Sequence, residues 1–417
     1  MDLSAPRRAL VDLRVDGARL LARLDELAAI GSTGDGGCCR LALTDDDRAG
    51  RDRVCSWMRE LGLEVQVDAI GNVFGRRAGT EDVAPVSTGS HIDTVRTGGR
   101  YDGCLGVLGA LEVVATLNEA GLRTRRPLVV GVFTNEEGAR FAPDMLGSLV
   151  FAGGLSLVEA LDRVSIDGQR LGDELVRIGY AGNAPLPLFR PHAHVELHIE
   201  QGPVLDAEGI TIGAVENLQG ISWQEVVVEG QSNHAGTTPM RLRHDAGYAA
   251  AAIATFCRSL ARELGGDQVA TVGSLTLHPN LINVIAARAK LTVDLRNTDE
   301  STLQGAERRF AAFLEELAST EGVRIRTRRL ARFEPVVFDA GVVGRIGQVA
   351  ARLGHSCRPM TSGAGHDAQM MARIAPTAMV FVPSVRGISH NAAEHTTPEH
   401  LKAGADVLLH TLLELAA

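Results

Sequence analysis

The chain has 417 residues, long enough for two domains. Its 45% hydrophobic and 22% charged residues are the composition of a soluble globular protein. A net charge of −9 offers no basic surface to nucleic acid or an anionic membrane, and no apolar run approaches the roughly 20 residues that span a bilayer.

Residues 1–13 mix Asp2, Arg7, Arg8 and Asp12 and lack the apolar stretch of a secretion signal, so the expected compartment is the cytoplasm. The six cysteines form no Cys-x-x-Cys pair, which fits reduced thiols there. Leu20, Leu21, Leu24, Leu27 and Ala28 repeat with helical spacing. Thr44 before Asp45, Asp46 and Asp47 reads as an N-cap with an acidic first turn, opening a helix through Val54, Trp57, Met58 and Leu61 to Gly62. Residues 64–68 alternate like a strand, and 71–75 suggest a hairpin turn.

The run 84–89 leads into His91 and Asp93. Two apart in an extended segment, these side chains point the same way, so one could ligate a metal and the other orient it. Asp102 follows eleven residues after His91. Cys104 reads as a thiolate ligand, a nucleophile or a small buried residue; without an adjacent basic residue the buried reading is preferred. A crossover helix at 106–120 precedes a buried strand at 128–134 that ends in Asn135, Glu136 and Glu137. In a regular strand the two glutamates would face apart. At a strand end they can diverge from one corner, one toward a metal and the other toward a water; alone they would read as a solvated acidic turn. Along 195–200 the odd positions are apolar and the even ones, Glu196, His198 and Glu200, are ionisable. Strands inside an α/β sheet are usually apolar on both faces, so this face needs a solvent edge or ions. Beside His91, Asp102 and Glu137, the ligand reading of His198 is preferred.

After residue 213 the pattern changes. Strands at 222–229, 268–277, 289–296 and 323–330 interleave with helices at 241–264 and 302–317, an α+β sandwich on a four-stranded sheet. From 336 the α/β order returns, and no repeat of 20–50 residues is found. Residues 381–383 end a strand, and the loop beyond carries His390 where a ligand could sit. Thr396 or Thr397 as N-cap with Pro398 at the first position opens the last helix, and His395 beside it reads as structural. The expected fold class is α/β: a mainly parallel sheet flanked by helices, in a discontinuous catalytic domain (1–213 and 331–417), with an inserted α+β domain at 214–330. Strands ending in His, Asp and Glu build a site at the carboxyl ends of such a sheet.

Three histidines (His91, His198, His390), Asp102 and Glu137 make five N/O ligands without a thiolate. That set suits a pair of divalent ions such as Zn²⁺, Mn²⁺, Ni²⁺ or Co²⁺. Ions ~3.5–4 Å apart would share a carboxylate and a water of lowered pKa, while a neighbouring carboxylate moves its proton. Hydrolysis of an amide-like bond is predicted.

The stretches 89–95, 98–107, 135–141, 196–203, 233–240, 363–368 and 389–391 together resemble the M20 metallopeptidase clan in its amidase/hydantoinase/carbamoylase branch. The resemblance implies a zinc-exopeptidase-like catalytic domain with a lid that also mediates dimerisation, two divalent ions per subunit and a homodimer. It implies an amidohydrolase cleaving the ureido group of N-carbamoyl-L-amino acids to amino acid, carbon dioxide and ammonia. Allantoate and 3-ureidopropionate are alternative substrates; a dipeptidase and a non-catalytic binding protein are the rivals. Residue by residue, it makes His91, Asp102 (bridging), Glu137, His198 and His390 the metal ligands. Glu136 becomes the general base and Asp93 the partner of His91. Gln201, Asn283 and Arg296 become substrate contacts, with His234 of the partner subunit reaching across. On residue type alone an exposed loop histidine is the preferred reading of His234. Arg296 reads as a fork for a substrate carboxylate or as the ion-pair partner of Asp294 or Asp299. His366 stays outside the metal set, and a cis peptide after Asp102 is a further implication.

Overall fold

The computed structural model describes residues 12–417, so the first eleven residues of the stretch read above for a secretion signal lie outside them. Among the described residues no helix is long and apolar enough to cross a membrane. Six strands precede the inserted segment: β1 (Glu64–Val67), β2 (Val73–Arg77), β3 (Val86–His91), β4 (Leu128–Phe133), β5 (Ala193–Ile199) and β6 (Ile212–Leu218). Five more follow within or at its edge: β7 (Gly220–Glu229), β8 (Val269–His278), β9 (Arg288–Asn297), β10 (Arg324–Phe333) and β11 (Val336–Val337). β12 (Cys357–Ser362) and β13 (Thr377–Val382) complete the set.

Packing divides the chain into two compact units, one holding the described residues up to Glu216 with Phe338–Ala417, the other Asn217–Val337. These limits lie a few residues beyond the expected 213/214 and 330/331, because β6 runs on to Leu218 and β10 to Phe333.

The larger unit is built on a sheet in the order β1-β2-β4-β3-β5-β13-β6-β11, with β12 also on β6. Its four central strands, β4, β3, β5 and β13, are parallel. Its margins, β1–β2, β2–β4, β13–β6 and β6–β11, are antiparallel. "Mainly parallel" therefore holds only for the centre, since the hairpin of β1 and β2 reverses the chain before it meets β4. Every residue of the four central strands is buried, which accounts for the unbroken apolar runs of β4 and β13. Above them the helix Cys104–Glu119 is buried almost all round, packed against β3 and against the helices Gly17–Ala29 and Pro398–Leu415. Its approach is close because a Cβ at Gly106 would stand 2.6 Å from the Leu197 carbonyl. The expected caps are present: Thr44 Oγ1 accepts from the Asp47 amide, and Thr397 Oγ1 from that of His400, with Pro398 first in its helix.

In the smaller unit four antiparallel strands run β10-β7-β9-β8. The helices Ala246–Leu264 and Glu300–Glu321 cover one face, around Val226, Leu291, Val293, Ile253, Phe310 and Leu314. The first helix starts later than the expected residue 241. Met240–Leu242 makes a separate single turn, and Asp245 then caps the helix by accepting from the amides of Gly247 and Tyr248.

Candidate metal centre

Each of the four parallel strands delivers a residue of the site at its carboxyl end. His91 is the last residue of β3, and His198 is the last residue but one of β5. Beyond β4 the chain bends at Asn135, whose φ of 56° lies in the left-handed region that Asn tolerates better than most residues. That bend ends the strand alternation and lets Glu136 and Glu137 turn into one corner. Gln201 after β5 (φ 58°) and His390 beyond β13 (φ 54°) share the conformation. Such backbone conformations concentrate at functional sites.

Asp102 is the hub. Its Oδ1 lies 3.6 Å from His91 Nε2 and 3.2 Å from His198 Nε2. Its Oδ2 lies 3.4 Å from His390 Nε2, which is itself 3.3 Å from Glu137 Oε2. Two triads result, His91–Asp102–His198 and Asp102–Glu137–His390, and in each the ligand atoms lie within 4.8 Å of one another. Ligand atoms at ~2.1 Å from a tetrahedral ion stand ~3.4 Å apart, so both triads have the spacing a cation needs. The tautomers fit as well. His91 Nδ1–H donates to the Asp93 carbonyl at 2.9 Å and His198 Nδ1–H to the Ile199 carbonyl at 2.8 Å, which turns both Nε2 atoms to the centre. Glu137 Oε1 is buried without a hydrogen-bond partner, an acceptor left over for a cation. Glu136 Oε2 lies 3.4 Å from His91 Nε2, beside the first triad.

Charge is concentrated here, on side chains that are buried except for His390. Burial pulls the His91 pKa down, but the carboxylates of Glu136, Asp102 and Asp93 together carry it well above the ordinary imidazole value. Burial also pushes Glu136 well up and Glu137 up to about 8. His390 is raised to about 9, first by its bond to Asp102. A divalent ion bound here would compete with protons for these groups.

Several expectations need correction. Asp93 orients His91 through its carbonyl, while its carboxylate, 4.0 Å from the His91 ring, accepts the amides of Glu136 and Glu137 at 3.3 Å each. The cis peptide expected after Asp102 is not found. Among the described residues the cis bonds all precede proline, at 142–143, 186–187 and 278–279. Gly103, at φ 63°, makes the turn instead, and a Cβ there would come within 2.5 Å of the His91 ring. Glu196 and Glu200, whose period left a solvent edge or ions open, accept hydrogen bonds from buried neighbours. Glu196 accepts Ser90 Oγ at 2.6 Å and the Ala368 amide at 2.7 Å, and Glu200 accepts the amides of Val204 and Leu205. Cys104 is buried, which agrees with its preferred reading; it accepts an N–H of Arg40 at 3.2 Å, and burial pushes its pKa up to about 11. His366 is buried with its ring 4.5 Å from that of His198 and Nε2 on Ser362 Oγ. Burial and the nearby His198 keep it neutral.

Gln201 joins the centre, donating from Nε2 to Asp102 Oδ2 at 2.7 Å. The remaining three residues belong to the smaller unit. His234 and Asn283 sit on adjacent loops, since the Ala235 amide donates to the Asn283 carbonyl at 2.9 Å, and His234 Nδ1 accepts the amides of Gly236 and Thr237. Arg296 stands at the far end of β9, its guanidinium on the Asp294 carboxylate at 2.8–3.1 Å. Sequence reading overlooked Glu394, which takes the amides of Tyr101 and Asp102.

Against known proteins, the family model described as peptidase family M20/M25/M40 matches residues 88–414. The chain is 44% identical to an N-carbamoyl-L-amino-acid amidohydrolase of Rhizobium meliloti, covering 97% of each chain. It is 35% identical to an allantoate amidohydrolase of Bacillus subtilis over 94% of this chain and 96% of that one. Among solved structures, an amidase of the hydantoinase/carbamoylase family from Burkholderia multivorans superposes with a TM-score of 0.92 at 48% identity, covering 97% of this chain and 98% of the other.

Proposed function

This chain belongs to the M20/M25/M40 peptidase family, and from that premise we propose that it is a two-metal amidohydrolase releasing amino acid, carbon dioxide and ammonia from N-carbamoyl-L-amino acids. The observation that carries the proposal is the pair of ligand triads joined at one carboxylate, Asp102, with Glu136 beside them. His91 and His198 complete one cation subsite, and Glu137 and His390 the other. When bound, the divalent ions supply Lewis acidity and lower the pKa of the attacking water toward roughly 7.

The chain's own residues do the rest. Glu136 takes the proton of the attacking water and returns it to the leaving nitrogen. Gln201 fixes the shared carboxylate by donating to it. Arg296 offers a fork to the substrate carboxylate, and His234 with Asn283 offers donors to the developing oxyanion. In one copy these groups cannot serve one small molecule. Eight residues of extended β9 between Arg288 and Arg296 span roughly 26 Å, with Asn283 beyond the opposite end. A second copy supplies the missing set, so a homodimer is part of the proposal.

The name of the Rhizobium meliloti relative supports the carbamoyl-amino-acid substrate, and that of the Bacillus subtilis relative supports allantoate as a second reading. The test is ammonia release after loading with Mn²⁺ or Zn²⁺, on a panel of N-carbamoyl-L-amino acids, allantoate and dipeptides. Turnover of carbamoyl amino acids is the expected result. Turnover of allantoate alone would transfer the assignment to the second reading, and turnover of dipeptides alone would refute both.

A further inference from the structure

His390 has the least support of the five ligand residues. Its side chain is 49% exposed, its φ is positive, and it stands on a loop rather than a strand. Something must hold it at the distance from Asp102 that a shared cation requires. The buried carboxylate of Glu394, four residues further on, is placed to do so. Its Oε1 accepts the amides of Tyr101 at 2.9 Å and Asp102 at 3.2 Å, fastening the backbone that carries the hub carboxylate. The Ser389 hydroxyl, next to His390, stands 3.0 Å from Glu394 Oε2 and 3.2 Å from Asp102 Oδ2 and joins the two carboxylates. Within the loop, the Glu394 amide donates to the Asn391 carbonyl and the Ala393 amide to Asn391 Oδ1, closing the turn that carries His390. Thr97 Oγ1 adds a second tie by donating to the His390 carbonyl at 3.1 Å. Opposite, position 99 leaves space for the carboxylate, since a Cβ on Gly99 would overlap it. The histidines of the other triad stand on buried strands and are tied by the Asp93 and Ile199 carbonyls instead.

We infer that Glu394 is a positioning residue for the outer cation subsite: it pins the loop of His390 to the loop of Asp102 and so sets the spacing of Asp102, Glu137 and His390. The inference rests on the metal-centre reading above and goes beyond it by giving the two subsites separate supports. Residues behind a metal ligand typically change affinity roughly 10–100-fold when removed. Removal of Glu394 therefore weakens the ion of the His390 triad by that factor and the other ion, which shares only Asp102 with it, by less.

The test is a Zn²⁺ titration of the metal-stripped full chain against a chromogenic chelator, with metal analysis after gel filtration. Wild type is expected to hold two ions. Glu394→Ala is expected to bind one ion roughly 10–100-fold more weakly and the other with a smaller loss. Gly99→Ala, which pushes the carboxylate away without removing it, is expected to show the same split. Glu394→Gln keeps an oxygen for the two amides and is expected to restore the second ion, which a general loss of stability would not predict. If Glu394→Ala, or Gly99→Ala should the former not fold, binds both ions with wild-type affinity or loses both equally, the inference is overturned. If wild type itself holds fewer than two ions, the metal-centre reading fails instead.

Discussion

Asp93 serves the centre with two different groups: its carbonyl fixes the tautomer of His91, and its carboxylate grips the amides of Glu136 and Glu137. One residue thereby sets a candidate ligand and the candidate base in the same frame. The two glutamates, adjacent in sequence, differ in surroundings. Glu137 faces Asp102 and His390, while Glu136 lies 3.4 Å from His91. Glu136→Gln is nearly isosteric and leaves all five ligands in place. Its expected effect is a fall in kcat of about 10²–10⁴-fold with wild-type metal content by elemental analysis. Activity within tenfold of wild type would remove Glu136 from the proton-transfer role.

At the scale of the element, β5 shows why a period of two is informative and incomplete. Its even positions, His194, Glu196 and His198, together with Glu200 just beyond, are all buried, yet only His198 reaches the centre. His194 is held by Ser87 at 2.9 Å, with its Nε2 buried and without a hydrogen-bond partner, and burial lowers its pKa to about 3. The unfolded chain, with an ordinary imidazole near 6.5, takes up the proton first, so this residue lowers stability as pH falls below 6.5 toward 3. Over the interval from pH 6.5 to 4.5 the loss is about 2 kcal/mol, since the unfolded imidazole is already half protonated at its start. His194→Gln retains a side chain able to bond Ser87 and does not titrate. Denaturant unfolding at both pH values is expected to show a smaller acid loss in the variant by about that amount; equal losses would mean that His194 is not buried neutral.

At the scale of the whole molecule, the inserted unit separates groups that one small substrate would have to meet together. The loops of His234 and Asn283 meet at one end of its sheet, and Arg296 stands at the other. If two copies complete each site, variants lacking different ends complement one another. His234→Ala and Arg296→Ala should each be nearly inactive alone. Co-refolding them in equal amounts should restore roughly a quarter of wild-type turnover, since half the dimers are hybrid and each hybrid has one intact site. No recovery, with hybrid dimers verified by differential tagging, would place all substrate contacts in a single copy.

Two histidines two residues from an acid, a double glutamate after an apolar run, an insertion of changed periodicity and a capped last helix were all legible in the chain, because each is local. Strand and helix periods and caps act over a few residues, and ligand chemistry is a matter of residue type. The parallel centre with antiparallel margins, the demotion of Glu196 and Glu200 to structural acceptors and the carbonyl role of Asp93 were not legible. Neither was Glu394, whose partners at Tyr101 and Asp102 are 293 and 292 residues away in sequence. Whether a buried acid faces a cation or a backbone amide depends on which distant segment packs against it, and only the folded chain decides that.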